Sequence, residues 1–239
     1  MTRRLAILAV LAAAVLAYPA TAGAHPTAPH GTRIHRVSHS TSTNWAGYSA
    51  TGARFTSVSA SWKQPAVTCT SATAYSSFWV GLDGDGSNSV EQTGTEADCV
   101  GGKAQYSAWY EMYPKFPVTL SMAVHAGDSF TASVTTDGRG SFTLSIRNVT
   151  TGASFSTVQR LKRAQLASAE VIAEAPSGSG GVLPLANFGT ASFTGAMANG
   201  KTIGSFNPDR INMVSGSTTK ATTSALTNGT AFSVAWKHA

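Results

Sequence analysis

The segment Ser89-Val90-Glu91-Gln92-Thr93-Gly94 sets a side-chain amide beside a carboxylate. It follows the apolar run Ser77-Phe78-Trp79-Val80-Gly81-Leu82 and the acidic turn Asp83-Gly84-Asp85-Gly86. Two more carboxylates fall in Ala169-Glu170-Val171-Ile172-Ala173-Glu174, and Glu111 follows Trp109 in Tyr106-Ser107-Ala108-Trp109-Tyr110-Glu111-Met112-Tyr113-Pro114. A carboxylate can take a proton from an attacking water and return it to a leaving group. A neutral amide can donate to a developing oxyanion, and it does so without titrating. Acids and an amide among large aromatics are the parts that hydrolysis in a cleft requires. Taken singly, each Glu also fits an ordinary solvated strand position.

Strands must position these groups. Ser168 to Ala175 reads as a strand ended by Pro176. Side chains alternate along a strand, so Glu170, Ile172 and Glu174 share one face and Val171 and Ala173 the other. The two carboxylates are then about 13 Å apart along the strand, which marks a polar face but not a dyad by itself. From Asn44 onward the period is two. Val58, Ala60 and Trp62 alternate with serines, and Phe130, Ala132 and Val134 with Thr and Ser. Phe142, Leu144 and Ile146 repeat the pattern, and Phe232, Val234 and Trp236 close the chain. Thr136-Asp137-Gly138-Arg139-Gly140 and Thr150-Thr151-Gly152 are hairpin turns in this reading. Val158 to Leu166 is the one segment open to a helical reading. The pattern predicts an all-β fold, a large antiparallel sandwich or barrel, as one domain over residues 44–239.

The remaining composition bounds the setting. Charged residues make up 12% of the 239, with a formal net charge of +6. The basic residues are scattered and never interleave with aromatics, which argues against nucleic acid as a partner. Arg3 and Arg4 precede an apolar run from Leu5 to Ala17, and Ala22-Gly23-Ala24 offers a small-x-small cut, so residues 1–24 read as a signal peptide. The mature chain is then expected to be secreted, extracellular and free of the membrane. Cys69 and Cys99 are the two cysteines, both expected in loops, and in an oxidising compartment they form one disulfide. Two cysteines with no nearby His do not make a zinc site, so no metal is expected. Residues 25–43 hold His25, His30, His35 and His39 with Arg33 and Arg36 and almost no apolar side chains. They read as a His-rich arm or short propeptide, expected to be shed or disordered in the active form. Mass spectrometry before and after acidification checks this.

Taken in order, Asn44-Trp45-Ala46-Gly47-Tyr48, Trp79-Val80-Gly81-Leu82-Asp83-Gly84-Asp85, Gln92-Thr93-Gly94, the Tyr106–Pro114 segment and Ala169–Glu174 resemble the glutamic peptidases, the G1 or eqolisin family. The resemblance covers essentially all of residues 44–239. It implies a sandwich of two large, bent antiparallel sheets of the concanavalin A-like lectin/glucanase type. It implies an acid-acting endopeptidase without cofactor, working on protein or peptide substrates and expected as a monomer. The family's catalytic Gln maps to Gln92 and its catalytic Glu to Glu174, not to Glu170. Trp45, Trp79, Asp83, Trp109 and Glu111 are implied to line or support the substrate cleft. The chain departs from the fungal pattern at Val171, where an aromatic is usual, and at Ala175-Pro176, where an acid is. Two rival readings are a glycoside hydrolase using Glu111 and Glu174, and a carbohydrate-binding module using exposed Trp and Tyr. The Gln-Thr-Gly motif favours the peptidase, since a glycosidase has no evident need of that amide.

Overall fold

The computed structural model describes residues 40–239; residues 1–24, expected as a signal peptide, and most of the expected arm at 25–43 lie outside the described residues. The strands are β1 Thr41–Ser42, β2 Trp45–Ala50, β3 Ser57–Lys63, β4 Ser77–Leu82, β5 Val90–Val100 and β6 Lys103–Tyr113. There follow β7 Val118–Leu120, β8 Ser129–Thr136, β9 Ser141–Asn148, β10 Ser154–Arg160, β11 Ala169–Glu174 and β12 Ser177–Gly178. The last are β13 Gly181–Val182, β14 Thr190–Ala198, β15 Lys201–Thr202, β16 Asp209–Ser215, β17 Thr218–Thr223 and β18 Phe232–Trp236. The described residues contain no α-helix, only a 3-10 turn at Ile203–Phe206. The doubtful segment after Val158 is the end of β10 and an irregular connection.

The strands run in the order β10-β9-β8-β3-β14-β18-β17-β16-β2-β11-β4-β5-β6-β7. This path folds over at β16. Its first half, Asp209 to Ile211, pairs with β2, while Met213 to Ser215 pair with β17. One layer is therefore β16-β2-β11-β4-β5-β6-β7 and the other runs from β10 to β16. Every pairing in the main path is antiparallel, and only the short β1 joins β16 in parallel. The alternation read from the sequence is kept: Val58, Ala60 and Trp62 of β3 and Phe142, Leu144 and Ile146 of β9 all point into the core. They meet Tyr48, Phe78, Val80, Leu82, Val171 and Ala173 of the first layer. Burying each of the large apolar side chains contributes roughly 1.5–3 kcal/mol, which sets which face of every strand turns inward.

Cys69 and Cys99 are disulfide-bonded across 30 residues of sequence. Cys69 is in a loop as expected, but Cys99 lies in β5 rather than in a loop. The long hairpin with β6 keeps pairing past the cysteine, from Val90↔Tyr113 to Val100↔Lys103, so the strand does not end where the polar residues begin. In the chain-entropy picture closing such a loop stabilises by about 3–4 kcal/mol.

Candidate active site

The other face of the first layer, turned away from the core, carries most of the candidate site residues. Cross-strand register arranges it in three rows. One row reads Trp45, Glu174, Ser77, Glu96, Ser107 from β2 to β6. The middle row reads Ile211, Gly47, Ile172, Trp79, Gly94, Trp109. The third reads Asp209, Ser49, Glu170, Gly81, Gln92, Glu111. Two polar rows thus flank an apolar one, and Trp45, Trp79, Trp109, Ile172 and Ile211 form a second, smaller cluster there. The glycines of the middle row are sterically required. A Cβ on Gly94 would strike the backbone of Phe78 and Trp79, and one on Gly47 the backbone of Val171 and Ile172.

Glu174 closes β11, where two neutral donors hold its carboxylate. Asn44 Nδ2 donates to Oε1 at 2.9 Å and Trp79 Nε1 to Oε2 at 2.7 Å. Trp45 packs edge-on against Trp79, with ring centroids 5.1 Å apart, and so fixes the indole that reaches the acid. Gln92 lies on β5 directly opposite Glu111 of β6, and its Nε2 donates to Glu111 Oε2 at 2.6 Å. Its Oε1 is buried with no hydrogen-bond partner. A primary amide has two N–H donors, so this contact leaves one N–H and the carbonyl oxygen uncommitted to Glu111. Gln92 and Glu174 therefore share a face but not a row. Their partners on β4, Gly81 and Ser77, are four residues apart, about 13 Å of backbone, with Trp79 between them.

The other sequence candidates divide by role. Trp79 and Trp109 are fully buried, so neither is the exposed platform that a carbohydrate-binding module would need. Trp45 and Glu111 are buried beside the same face. Asp83 turns elsewhere. It sits at φ 64°, a left-handed conformation, and its carboxylate accepts the backbone N–H groups of Leu166 at 2.9 Å and Ala167 at 2.7 Å. It pins the loop that leads into β11. Asp83→Ala would leave two inward-facing N–H groups without acceptors, each costing about 1–3 kcal/mol. Thermal unfolding should show a clearly lowered midpoint, and a variant as stable as the parent would contradict the pinning role.

Sequence reading gave no role to Asn44, Ser77, Glu91 or Glu96. Asn44 had one signal, an amide abutting the apolar start of a strand. Glu96 accepts from Ser107 Oγ at 2.8 Å, two strands across from Glu174. Glu91 points to the opposite side of β5 from Gln92, where burial first and the Asp83 charge second push its carboxyl up to about 8. Glu170, in the third row, is wholly buried. Burial raises it well above the usual carboxylate range, and the charges of Asp85 and Asp83 add to that. Ser168 and the Asp85 backbone approach Glu170, yet neither makes a well-formed hydrogen bond to its oxygens. No group of His, Cys, Asp and Glu among the described residues is arranged to hold a metal.

Residues 43–236 match the model of the Peptidase A4 family. The chain is 30% identical over 189 residues to Aspergillopepsin-2 of Aspergillus niger, covering 68% of this chain and 67% of that protein. It is 36% identical over 111 residues to Scytalidopepsin B of Scytalidium lignicola, 46% of this chain and 41% of that one. A crystal structure of scytalido-glutamic peptidase with a peptide-based transition state analog superposes with a TM-score of 0.70 at 27% identity, over 82% of this chain and 98% of that chain. The crystal structure of aspergilloglutamic peptidase from Aspergillus niger gives 0.60 at 25% identity, over 69% and 99%.

Proposed function

The chain belongs to the Peptidase A4 family, the glutamic peptidases, and on that premise we propose that it is a secreted endopeptidase that acts in acid through Glu174 and Gln92. The observation that carries the reading is the set of three hydrogen bonds that hold the two groups: Asn44 and Trp79 on Glu174, and Glu111 on Gln92. In this mechanism a water attacks the scissile carbonyl carbon while Glu174 takes one of its protons. The carbonyl oxygen gathers negative charge and accepts from the Gln92 N–H that Glu111 leaves free. Glu174 then passes its proton to the departing amine nitrogen as the C–N bond breaks. Both halves of the peptide leave and the carboxylate is restored. Glu111 acts on Gln92 rather than on substrate, by fixing which end of the amide faces the reaction.

The purified protein is expected to cleave denatured protein at acidic pH and to resist pepstatin, because it lacks the paired aspartates of the pepsin type. Assay of one protein substrate between about pH 2 and 6, where carboxylates change state, checks this. Absence of any cleavage across that range would count decisively against the reading.

A further inference from the structure

We propose that the open edge of β6 between Ala104 and Ser107 is an outlying part of the substrate cleft, where an extended segment of a polypeptide substrate adds as a strand about four residues from the scissile bond. The proposal rests on reading the adjoining face as the peptidase site. β7 covers β6 only opposite Ala108, Trp109 and Tyr110. Past Leu120 the chain leaves the sheet and runs outside any strand to Asp128. The ladder on the other side of β6 fixes which backbone groups are left over. Ala97 N–H goes to Ser76 O, and Cys99 exchanges both its backbone bonds with Ala74, all away from β6. Opposed residues of an antiparallel pair alternate between bonded and non-bonded. Gln105 and Ser107 therefore bond to β5, while Ala104 and Tyr106 turn their N–H and C=O groups to the open edge. Among the described residues none bonds to these four groups. They repeat every two residues, about 6.8 Å, the spacing at which an extended peptide presents its own groups. What usually blunts an edge is missing from Ala104 to Ser107, which holds no Pro, no bulge and no charge.

A cleft of about 310 Å³ lies along this edge. Leu120, Met122 and Val124 give it an apolar wall, and Gln105, Ser107 and Thr119 line it as well. The last three share the direction of the site face. Ser107 ends the row that holds Glu174, Gln105 is two residues before it, and Thr119 stands opposite Trp109. Ser107 is three strand spacings from Glu174 and four residues from Glu111, about 14 Å either way. Gln105 Oε1 is buried without a partner, an acceptor suited to an N–H of the guest. The guest is therefore an extended segment, with free backbone groups at alternate positions and an apolar side chain to meet Met122 and Val124. Unfolded polypeptide presents such a segment, whereas a folded protein has already paired or buried it.

The test uses two peptides with one scissile sequence, one reaching about six residues to each side and one about two, too short to touch the edge. The parent should show a kcat/KM at least about tenfold higher on the long peptide, the scale of two or more net backbone hydrogen bonds. Ala104→Pro removes an edge N–H and none of the bonds to β5, and it should bring that ratio close to one, chiefly through KM. Gln105→Ala should lower the ratio in part. Exchange of the Ala104 and Tyr106 amides is followed alongside, with peptides whose scissile amide is reduced so that they stay intact. The long one should slow both amides and the short one neither. If Ala104→Pro does not fold by circular dichroism, exchange in the parent decides alone. A long-peptide advantage that survives Ala104→Pro would overturn the proposal, as would amides that the long peptide leaves unprotected. Protection that rises with protein concentration in the absence of peptide would give the edge to a second copy and overturn it too. Protection by the long peptide in a protein that cleaves neither substrate would leave the edge site standing and remove the peptidase reading. Cleavage of both peptides without protection would do the reverse.

Discussion

Glu174→Gln is expected to lower cleavage of denatured protein by about 10²–10⁴-fold, the usual worth of a positioned acid–base group, with the fold intact. The substitution keeps the size of the side chain and its capacity to accept from Asn44 or Trp79. It removes the one proton acceptor the mechanism assigns to the attacking water. Gln92→Ala should cost at least about 2.7 kcal/mol of transition-state stabilisation, roughly a hundredfold in rate, the scale of losing one oxyanion donor. Glu111→Gln should lower the rate only in part. The new amide still accepts from Gln92 Nε2, but it can also turn its own NH₂ toward Gln92, so the orientation of that amide is no longer unique. Glu170→Gln should leave turnover close to the parent, because that side chain is sealed from solvent. A glycosidase would give a different pattern: Glu111→Gln would be as damaging as Glu174→Gln, and Gln92→Ala would matter little. Rates for the four variants on one protein and one polysaccharide, with circular dichroism to confirm folding, separate the two. A folded and fully active Glu174→Gln protein would end the mechanism.

Period-two alternation was enough to read the layers, because burying large apolar side chains dominates which way a strand faces. That is why Glu170, Ile172 and Glu174 emerge on one face, as their spacing requires. The registers between distant strands were not legible in the same way. That Gln92 stands opposite Glu111 while Glu174 stands opposite Ser77 follows from how β4, β5, β6 and β11 align, and no local residue encodes it. Asn44 illustrates the same limit: its partner is 130 residues away. Cys99 was misplaced in a loop because polar residues near the hairpin tip look like a turn, although the ladder continues past them to Val100. Glu91 and Glu170 looked solvated because Glu usually is. Their burial comes from packing around the Asp83 turn, which sequence spacing alone does not describe.

Those two carboxyls lead to the second large effect, a fold that weakens as pH rises. Glu91 has a folded pKa of about 8 against 4.5, and Glu170 is raised well above 4.5, both chiefly through burial. Ser89 and Asp83 approach Glu91, and Ser168 and the Asp85 backbone approach Glu170, yet none makes a well-formed hydrogen bond to the carboxyl oxygens, so ionised they would be poorly compensated charges in the interior. Asp83 and Asp85 lie close by and oppose ionisation further. The direction follows from proton linkage. Between the unfolded and folded pKa values the folded chain holds protons that the unfolded chain has released. Stability from Glu91 is therefore complete below about pH 4.5 and is lost as pH rises toward about 8, and Glu170 acts in the same direction. Each pH unit inside that window removes about 1.4 kcal/mol from the Glu91 contribution, so Glu91 should cost on the order of 3 kcal/mol between pH 5 and 7. That is a large part of the 5–15 kcal/mol that typically separates folded from unfolded chains. Urea midpoints across pH 4 to 8 should fall steeply for the parent. Glu91→Gln and Glu170→Gln cannot ionise, so each should flatten the curve and be more stable than the parent at pH 7. The double variant should flatten it further, approximately additively if the two sites act independently. A parent equally stable at pH 4 and pH 7 would mean that these carboxyls are not held neutral in the folded protein.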